Sequence, residues 1–154
     1  MYATGVMETR NEVPAVEGWF TTGPNPRLIG SRCLLCHVTA FPPRPSCPNP
    51  ICVDGRQEAV ELPPTGEVWS YTDAQYQPPP PYESPSDPYE PFVLAAVAVD
   101  EVQIVVLGQM VGGLGVDDMY IGMPVELVVE LLRQTPQVTE TMWRWKPSKE
   151  TRNA

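Results

Sequence analysis

Apolar side chains occur along the chain in short runs, and these runs predict strands separated by turns. The segment Val68–Thr72 combines β-branched and aromatic residues with the period of two that is expected of a half-buried strand, so we expect Trp69 and Tyr71 to share one face. Twenty prolines against eleven glycines remove many of the backbone donors that helices and central strands need. The pattern therefore predicts a mainly β protein.

Two almost wholly apolar runs, Phe92–Val99 and Ile104–Met110, are separated by four residues, a length typical of a hairpin connection. Residues 117–121 are expected to form one helical turn. Further strands are predicted over Arg27–Arg32, Val125–Leu132 and Val138–Trp145. Five strands from Val68 onward, with a long first connection and a helical turn before the last two, predict a five-stranded OB-fold barrel.

The connection between the first two barrel strands is rich in proline and tyrosine. Gln77–Pro91 holds seven of the twenty prolines, which predicts a long, stiff and exposed loop. A rigid loop with tyrosines and a tryptophan-rich last strand are features that protein interfaces favour. The candidate partner-interface residues are Tyr76, Tyr82, Tyr89, Trp143 and Trp145.

Four cysteines precede the barrel and form two pairs. Cys33 and Cys36 are separated by two residues, Cys47 and Cys52 by four, and ten residues separate the pairs. A close pair of cysteines lets one turn present both thiolates to a tetrahedral metal ion. The spacing predicts a structural zinc ion in an N-terminal rubredoxin-like zinc ribbon. Free buried thiols and an iron site are the alternatives, because four thiolates do not select the metal.

This predicted metal site is closed, since protein ligands fill all four positions and leave none for water. Its expected role is folding, to which zinc binding contributes about 10 to 16 kcal/mol in small zinc-binding peptides. His37 is the only histidine, and as the neighbour of a ligand it is expected to point away from the metal. No nucleophile and base pair is evident, so we predict no catalytic residue in this chain.

The chain has 154 residues, which we divide by composition into four parts. They are a flexible or partner-ordered lead-in (1–17), the zinc ribbon (18–62), the barrel (63–146) and a tail (147–154). No apolar run approaches the roughly 18 residues that span a membrane. The N-terminus lacks a basic segment followed by an apolar stretch, so we expect a cytoplasmic protein. In that reducing compartment cysteines are expected as metal ligands.

A net charge of −9, from 10 basic and 19 acidic residues, argues against a nucleic-acid partner. A nucleic-acid-binding protein with a zinc ribbon and an OB fold is nevertheless the alternative of a different class. This alternative is based on two features. The barrel has aromatic side chains that could stack on nucleic-acid bases, and the ribbon region has a group of arginines. These arginines are Arg27, Arg32, Arg44 and Arg56.

Several segments, in order, resemble a family of zinc-ribbon and OB-fold proteins that was long classed as a domain of unknown function and is associated with acyl-CoA. They are Gly30–Cys36, Phe41–Arg44, Cys47-Pro48, Gly66–Thr72, Pro91–Ala95 and Ile121–Val125. The resemblance covers about residues 18–146. The family usually has glycine in place of His37 and a shorter spacing in the second cysteine pair.

The resemblance implies a non-catalytic accessory subunit of a thiolase-superfamily enzyme, most similar to the partner of lipid-transfer-protein-like steroid side-chain aldolases. Such a subunit would dock on the thiolase-fold enzyme, stabilise it and help to shape its acyl-CoA channel. The implied reaction is retro-aldol cleavage of a steroid side-chain or other β-hydroxyacyl-CoA. A hotdog-fold enoyl-CoA hydratase is a further implied partner. The alternatives are a biosynthetic or degradative thiolase as partner and a free-standing acyl-CoA carrier.

Overall fold

The computed structural model describes residues 11–80 and 82–148. This part of the chain is mainly β, as predicted, with a 3₁₀ turn at Val116–Asp118. Its strands are β1 (Asn11–Pro14), β2 (Ile29–Cys33), β3 (Thr39–Ala40), β4 (Gln57–Glu61), β5 (Thr65–Asp73), β6 (Val93–Val99), β7 (Val105–Gln109), β8 (Pro124–Gln134) and β9 (Val138–Pro147). None of the described residues belongs to a helix that is long and apolar enough to cross a membrane.

Strands β5 to β9 form the barrel. Hydrogen-bonded neighbours follow the order β9-β8-β5-β6-β7, with antiparallel pairing throughout. The two ends of this order meet where Met110 forms a bridge with Trp145 and the Val111 N–H donates to the Trp145 carbonyl at 2.9 Å. The predicted five-stranded closed barrel is therefore confirmed.

A bulge in β5 corrects the prediction that Trp69 and Tyr71 share a face. The register with β6 shifts between Val68 and Ser70, which leaves Trp69 as an extra residue. Val68 is buried and Trp69 is 65% exposed, whereas Tyr71 packs against the core. Because an extra residue reverses the alternation of a strand, the two aromatic side chains lie on opposite faces.

The barrel interior is filled by apolar side chains, as the strict alternation of buried positions in β6 shows. Trp145 is fully buried and Trp143 is 5% exposed. Both belong to the core cluster, next to Gly108, where an added Cβ would lie 2.3 Å from a ring carbon of Trp143. Their burial leaves no side-chain surface for a partner. The two tryptophans are thus core residues, and the interface prediction can apply only to the tyrosines.

A second sheet, in the order β3-β2-β4, forms the ribbon. The ribbon shares the barrel core through Phe20, Leu28 and Leu62, which are all buried in the same cluster. Edge-to-face ring contacts also join the two parts. They run from Trp19 through Phe41 and Trp143 to Trp145, with centroid distances of 5.6, 5.9 and 5.8 Å.

The predicted lead-in contributes a strand that composition did not indicate. Strand β1 pairs in parallel with β9, with Asn11 opposite Val138 and Pro14 opposite Thr141. The Ala15 N–H continues this pairing by donating to the Thr141 carbonyl at 2.8 Å. The rest of the lead-in, residues 1–10, and residues 149–154 of the predicted tail lie outside the described residues.

Candidate functional site

The four cysteines converge at one end of the ribbon. Their sulfur atoms all lie within 4.8 Å of one another. The Sγ–Sγ distance is 3.8 Å between Cys33 and Cys52 and 3.5 Å between Cys36 and Cys47. Four sulfurs at about 2.3 Å from a central ion in a tetrahedron are about 3.8 Å apart. The residues therefore fit a metal ion with four thiolate ligands, as the spacing predicted.

The two cysteine pairs differ in pKa because backbone hydrogen bonds are the largest influence on the first pair and burial is the largest influence on the second. The backbone N–H of Cys36 lowers the pKa of the Cys33 thiol to about 6, and the N–H of Val38 lowers the pKa of Cys36. Burial raises the pKa of Cys47 and raises that of Cys52 to about 12. Cys33 and Cys36 therefore lose their protons more readily than Cys47 and Cys52 do. Binding of a metal ion would release the protons of the second pair as well, since a thiol binds a metal ion as its thiolate.

Gly55 completes the site and was not identified from the sequence. A Cβ at this position would lie 2.4 Å from the sulfur of Cys33 and 2.9 Å from that of Cys52. Real side chains do not approach sulfur so closely, so only glycine fits against the cluster. Gly55 follows Cys52 by three residues, and this closeness to a cysteine was the signal in the sequence that could have identified it.

His37 is not part of the sulfur cluster. Its Nδ1 lies 3.4 Å from a guanidinium nitrogen of Arg32. The backbone of His37 has a φ of 65°, in the left-handed region that favours glycine. Glycine adopts this conformation without strain, which agrees with the glycine that the resemblance implies at this position.

The three predicted interface tyrosines occupy different environments. Tyr76 is 89% exposed. Tyr82 stacks on Phe92 at a centroid distance of 5.7 Å, and Tyr89 contacts both rings edge-on at 6.4 Å. The Tyr89 hydroxyl also donates to the Ala74 carbonyl at 2.5 Å. Tyr82 and Tyr89 therefore hold the proline-rich loop on the barrel, and Tyr76 is the exposed member of the three.

Comparison with known proteins identifies one family that has this ribbon and barrel. The family model described as "ChsH2, C-terminal OB-fold domain" matches residues 59–130. A chain of the solved structure of an "Ltp2-ChsH2(DUF35) aldolase" is 33% identical, with a TM-score of 0.57, and the match covers 79% of this chain and 84% of that one. The chain belongs to the ChsH2 (DUF35) family. The resemblance identified from the sequence motifs, including the OB fold, is confirmed.

A second relative of this ChsH2-family chain is longer. The "Probable enoyl-CoA hydratase alpha subunit" of Thermomonospora curvata is 33% identical over 126 residues. The match covers 82% of this chain and 36% of the relative. The chain thus spans about a third of the length of that curated protein.

Proposed function

We propose that this ChsH2-family chain is an accessory subunit that docks on a thiolase-fold enzyme, stabilises it and helps to shape its acyl-CoA channel. The favoured reaction of the assembly is retro-aldol cleavage of a steroid side-chain or other β-hydroxyacyl-CoA, in the cytoplasm. The partner supplies the catalytic residues, and this chain supplies a rigid surface.

One observation is the main support for the proposal. The match to a chain of the Ltp2-ChsH2(DUF35) aldolase covers 79% of this chain, more than the barrel alone contains. Because the similarity extends beyond the OB barrel, it concerns the combined arrangement and not a widespread fold alone. That chain belongs to an aldolase complex, and we propose the same kind of assembly for this chain.

We assign zinc to the four-cysteine site. Zinc accepts tetrahedral thiolate ligands, and a four-thiolate site has no open position for a substrate or water. A bound zinc ion supplies folding energy and fixes the two loops that contain the cysteine pairs. Metal analysis of the purified protein should give one zinc and no iron per chain, whereas iron with thiolate charge-transfer absorption would contradict the assignment.

The docking proposal is tested by co-purification with a thiolase-fold aldolase of the kind named in the matching structure. The tagged chain should retain the enzyme through size-exclusion chromatography, and the complex should melt at a higher temperature than the enzyme alone. Retro-aldol activity on a steroid β-hydroxyacyl-CoA should depend on the chain, with a change in KM if the chain shapes the channel. A chain that elutes as a monomer and leaves activity and melting unchanged would contradict the proposal.

A second candidate partner is an enoyl-CoA hydratase, for which the Thermomonospora curvata relative gives specific support. That relative is named as a hydratase subunit and is almost three times as long as the matching region. A hotdog-fold hydratase could therefore join the same assembly. Co-expression of this chain with both enzymes should yield a complex in which the hydratase depends on the chain for co-elution with the thiolase-fold protein.

A further inference from the structure

The part of the ribbon that contains the sulfur cluster exposes four aliphatic side chains. Leu34 and Leu35 lie between the first two cysteines, and Ile51 and Val53 flank Cys52. Their exposed fractions are 53%, 66%, 88% and 73%. Because the four sulfur atoms lie within 4.8 Å of one another, the backbones of these four residues lie close to the same sulfur cluster. We call them the knuckle patch.

Arginines border this patch. Arg32 precedes Cys33, and the Arg56 carbonyl accepts a hydrogen bond from the N–H of Leu34 at 2.8 Å. Arg44 is tied to the same sheet by its N–H, which donates to the Ser31 hydroxyl at 2.9 Å. All three arginines are exposed, and none of them belongs to an ion pair among the described residues.

The charge around the knuckle patch differs from that of the rest of the molecule. Residues 18–62 contain four arginines and three acidic residues, whereas residues 63–146 contain three basic and twelve acidic residues. Glu58 lies opposite Arg32 in the sheet, but no ion pair within 4.0 Å joins the two. Arginine is enriched in protein interfaces, so an exposed apolar centre bordered by arginines that form no ion pair is a candidate interface.

We infer that the knuckle patch is the docking surface for the thiolase-fold partner, on a complementary surface with an apolar centre and acidic side chains at its rim. This inference rests on the proposed function. It adds which surface of this chain the partner contacts and which charges meet there. The metal then has a second effect, because the loops that it fixes are the loops that make the contact. A preformed apolar surface loses little entropy on binding.

Two other occupants fit the patch less well. A nucleic-acid backbone would satisfy the arginines but would leave four aliphatic side chains without apolar contact. A second copy could offer its acidic barrel, but such a head-to-tail contact builds rings or open chains of many copies, not a single closed pair. A distinct protein partner satisfies both the apolar and the basic groups in a closed complex.

The test compares two pairs of exposed aliphatic residues. The variant Leu35→Ser with Ile51→Ser alters the patch, and the control Val105→Ser with Leu107→Ser alters exposed residues of β7 on the barrel. Affinity for the thiolase-fold partner is measured by biolayer interferometry, with zinc content measured to establish an intact ribbon. The patch variant should raise the Kd at least tenfold at unchanged zinc content, and the control should leave it within twofold.

Charge is tested separately. Arg32→Glu with Arg56→Glu should weaken binding at least tenfold, and the wild-type complex should weaken as salt is raised, because rim charges are screened. If the wild-type chain does not bind the enzyme, the proposed function fails. If it binds but the control pair weakens binding while the patch variants do not, the docking surface is wrong and the function stands. Concentration-dependent self-association that Leu35→Ser abolishes would instead identify a second copy and overturn the inference.

Discussion

The ribbon and the barrel differ in what fills their interiors. The barrel has five strands of five to eleven residues and contributes thirteen of the sixteen side chains in the buried core cluster. The ribbon has strands of five, two and five residues and contributes three core side chains, Phe20, Leu28 and Leu62. Its own interior is the sulfur cluster, in which Cys33 is fully buried.

This difference explains how a small sheet can leave apolar side chains at its surface. Below about 40 residues a chain buries too little apolar area to fold alone, and metals commonly supply the difference. Because a metal ion would organise the ribbon from within, residues between its ligands need not enter a core. Leu35 and Ile51 are accordingly exposed, whereas Trp143 and Trp145 of β9 are buried in the barrel.

The largest expected effect is loss of the metal ion. Cys33→Ser removes one of four ligands, so the metal content should fall to a small fraction of one ion per chain, and amides of β2 to β4 should lose hydrogen-exchange protection. Amides of β6 should keep theirs, because the barrel core does not depend on sulfur. His37→Asn is the control, since asparagine tolerates a positive φ, and it should retain the metal. Protected ribbon amides in the Cys33→Ser variant would contradict the metal-dependent order of the ribbon.

The next effect concerns the barrel. Trp145 is fully buried, and Trp145→Ala should reduce the free energy of unfolding by about 3 to 5 kcal/mol, because it leaves a large cavity. Urea denaturation measures this change, and metal analysis below the transition should still give one ion per chain. The same substitution at the exposed Trp69 should cost about 0.5 kcal/mol or less. Equal losses from the two variants would show that burial does not distinguish these tryptophans.

A smaller change tests the fit around the sulfurs. Gly55→Ala places a methyl group 2.4 Å from the Cys33 sulfur, so the ribbon must shift and metal affinity should fall by about 10- to 100-fold, the range typical of groups that position ligands. A chromogenic chelator in competition with the protein measures the affinity. Gly112→Ala is the matched control, because no heavy atom lies within 4 Å of the added carbon. Unchanged affinity in Gly55→Ala would mean that the glycine is not required.

The smallest effect is expected outside both cores. Arg133 pairs with Glu83 of the proline-rich loop at 3.2 Å and with Glu140 of β9 at 2.8 Å, and half of its side chain is exposed. Arg133→Gln should change the Tm by only about 1 °C, because exposed ion pairs contribute little. Hydrogen exchange around residue 83 should nevertheless become faster. A fall in Tm as large as that of Trp145→Ala would show that the loop is part of the cooperative core.

Much of this architecture was predictable from local sequence. The cysteine spacing predicted the sulfur cluster, and the apolar runs predicted the β6–β7 hairpin, because both signals involve residues close in the chain. Strand β1 was not predictable, since Asn11 finds its partner Val138 far along the chain. The same holds for Gly55, whose importance depends on sulfur atoms that converge only after folding.

By itself, the sequence determined that this protein has a four-cysteine ribbon followed by a five-stranded barrel, because period and spacing are local properties of the chain. Only the tertiary structure decided which aromatic residues are inside. One bulge turns Trp69 outward, and barrel closure buries Trp143 and Trp145. The reason is that alternation along a strand distinguishes two faces but does not show which of them is buried. Which face becomes the core depends on register and closure between distant strands.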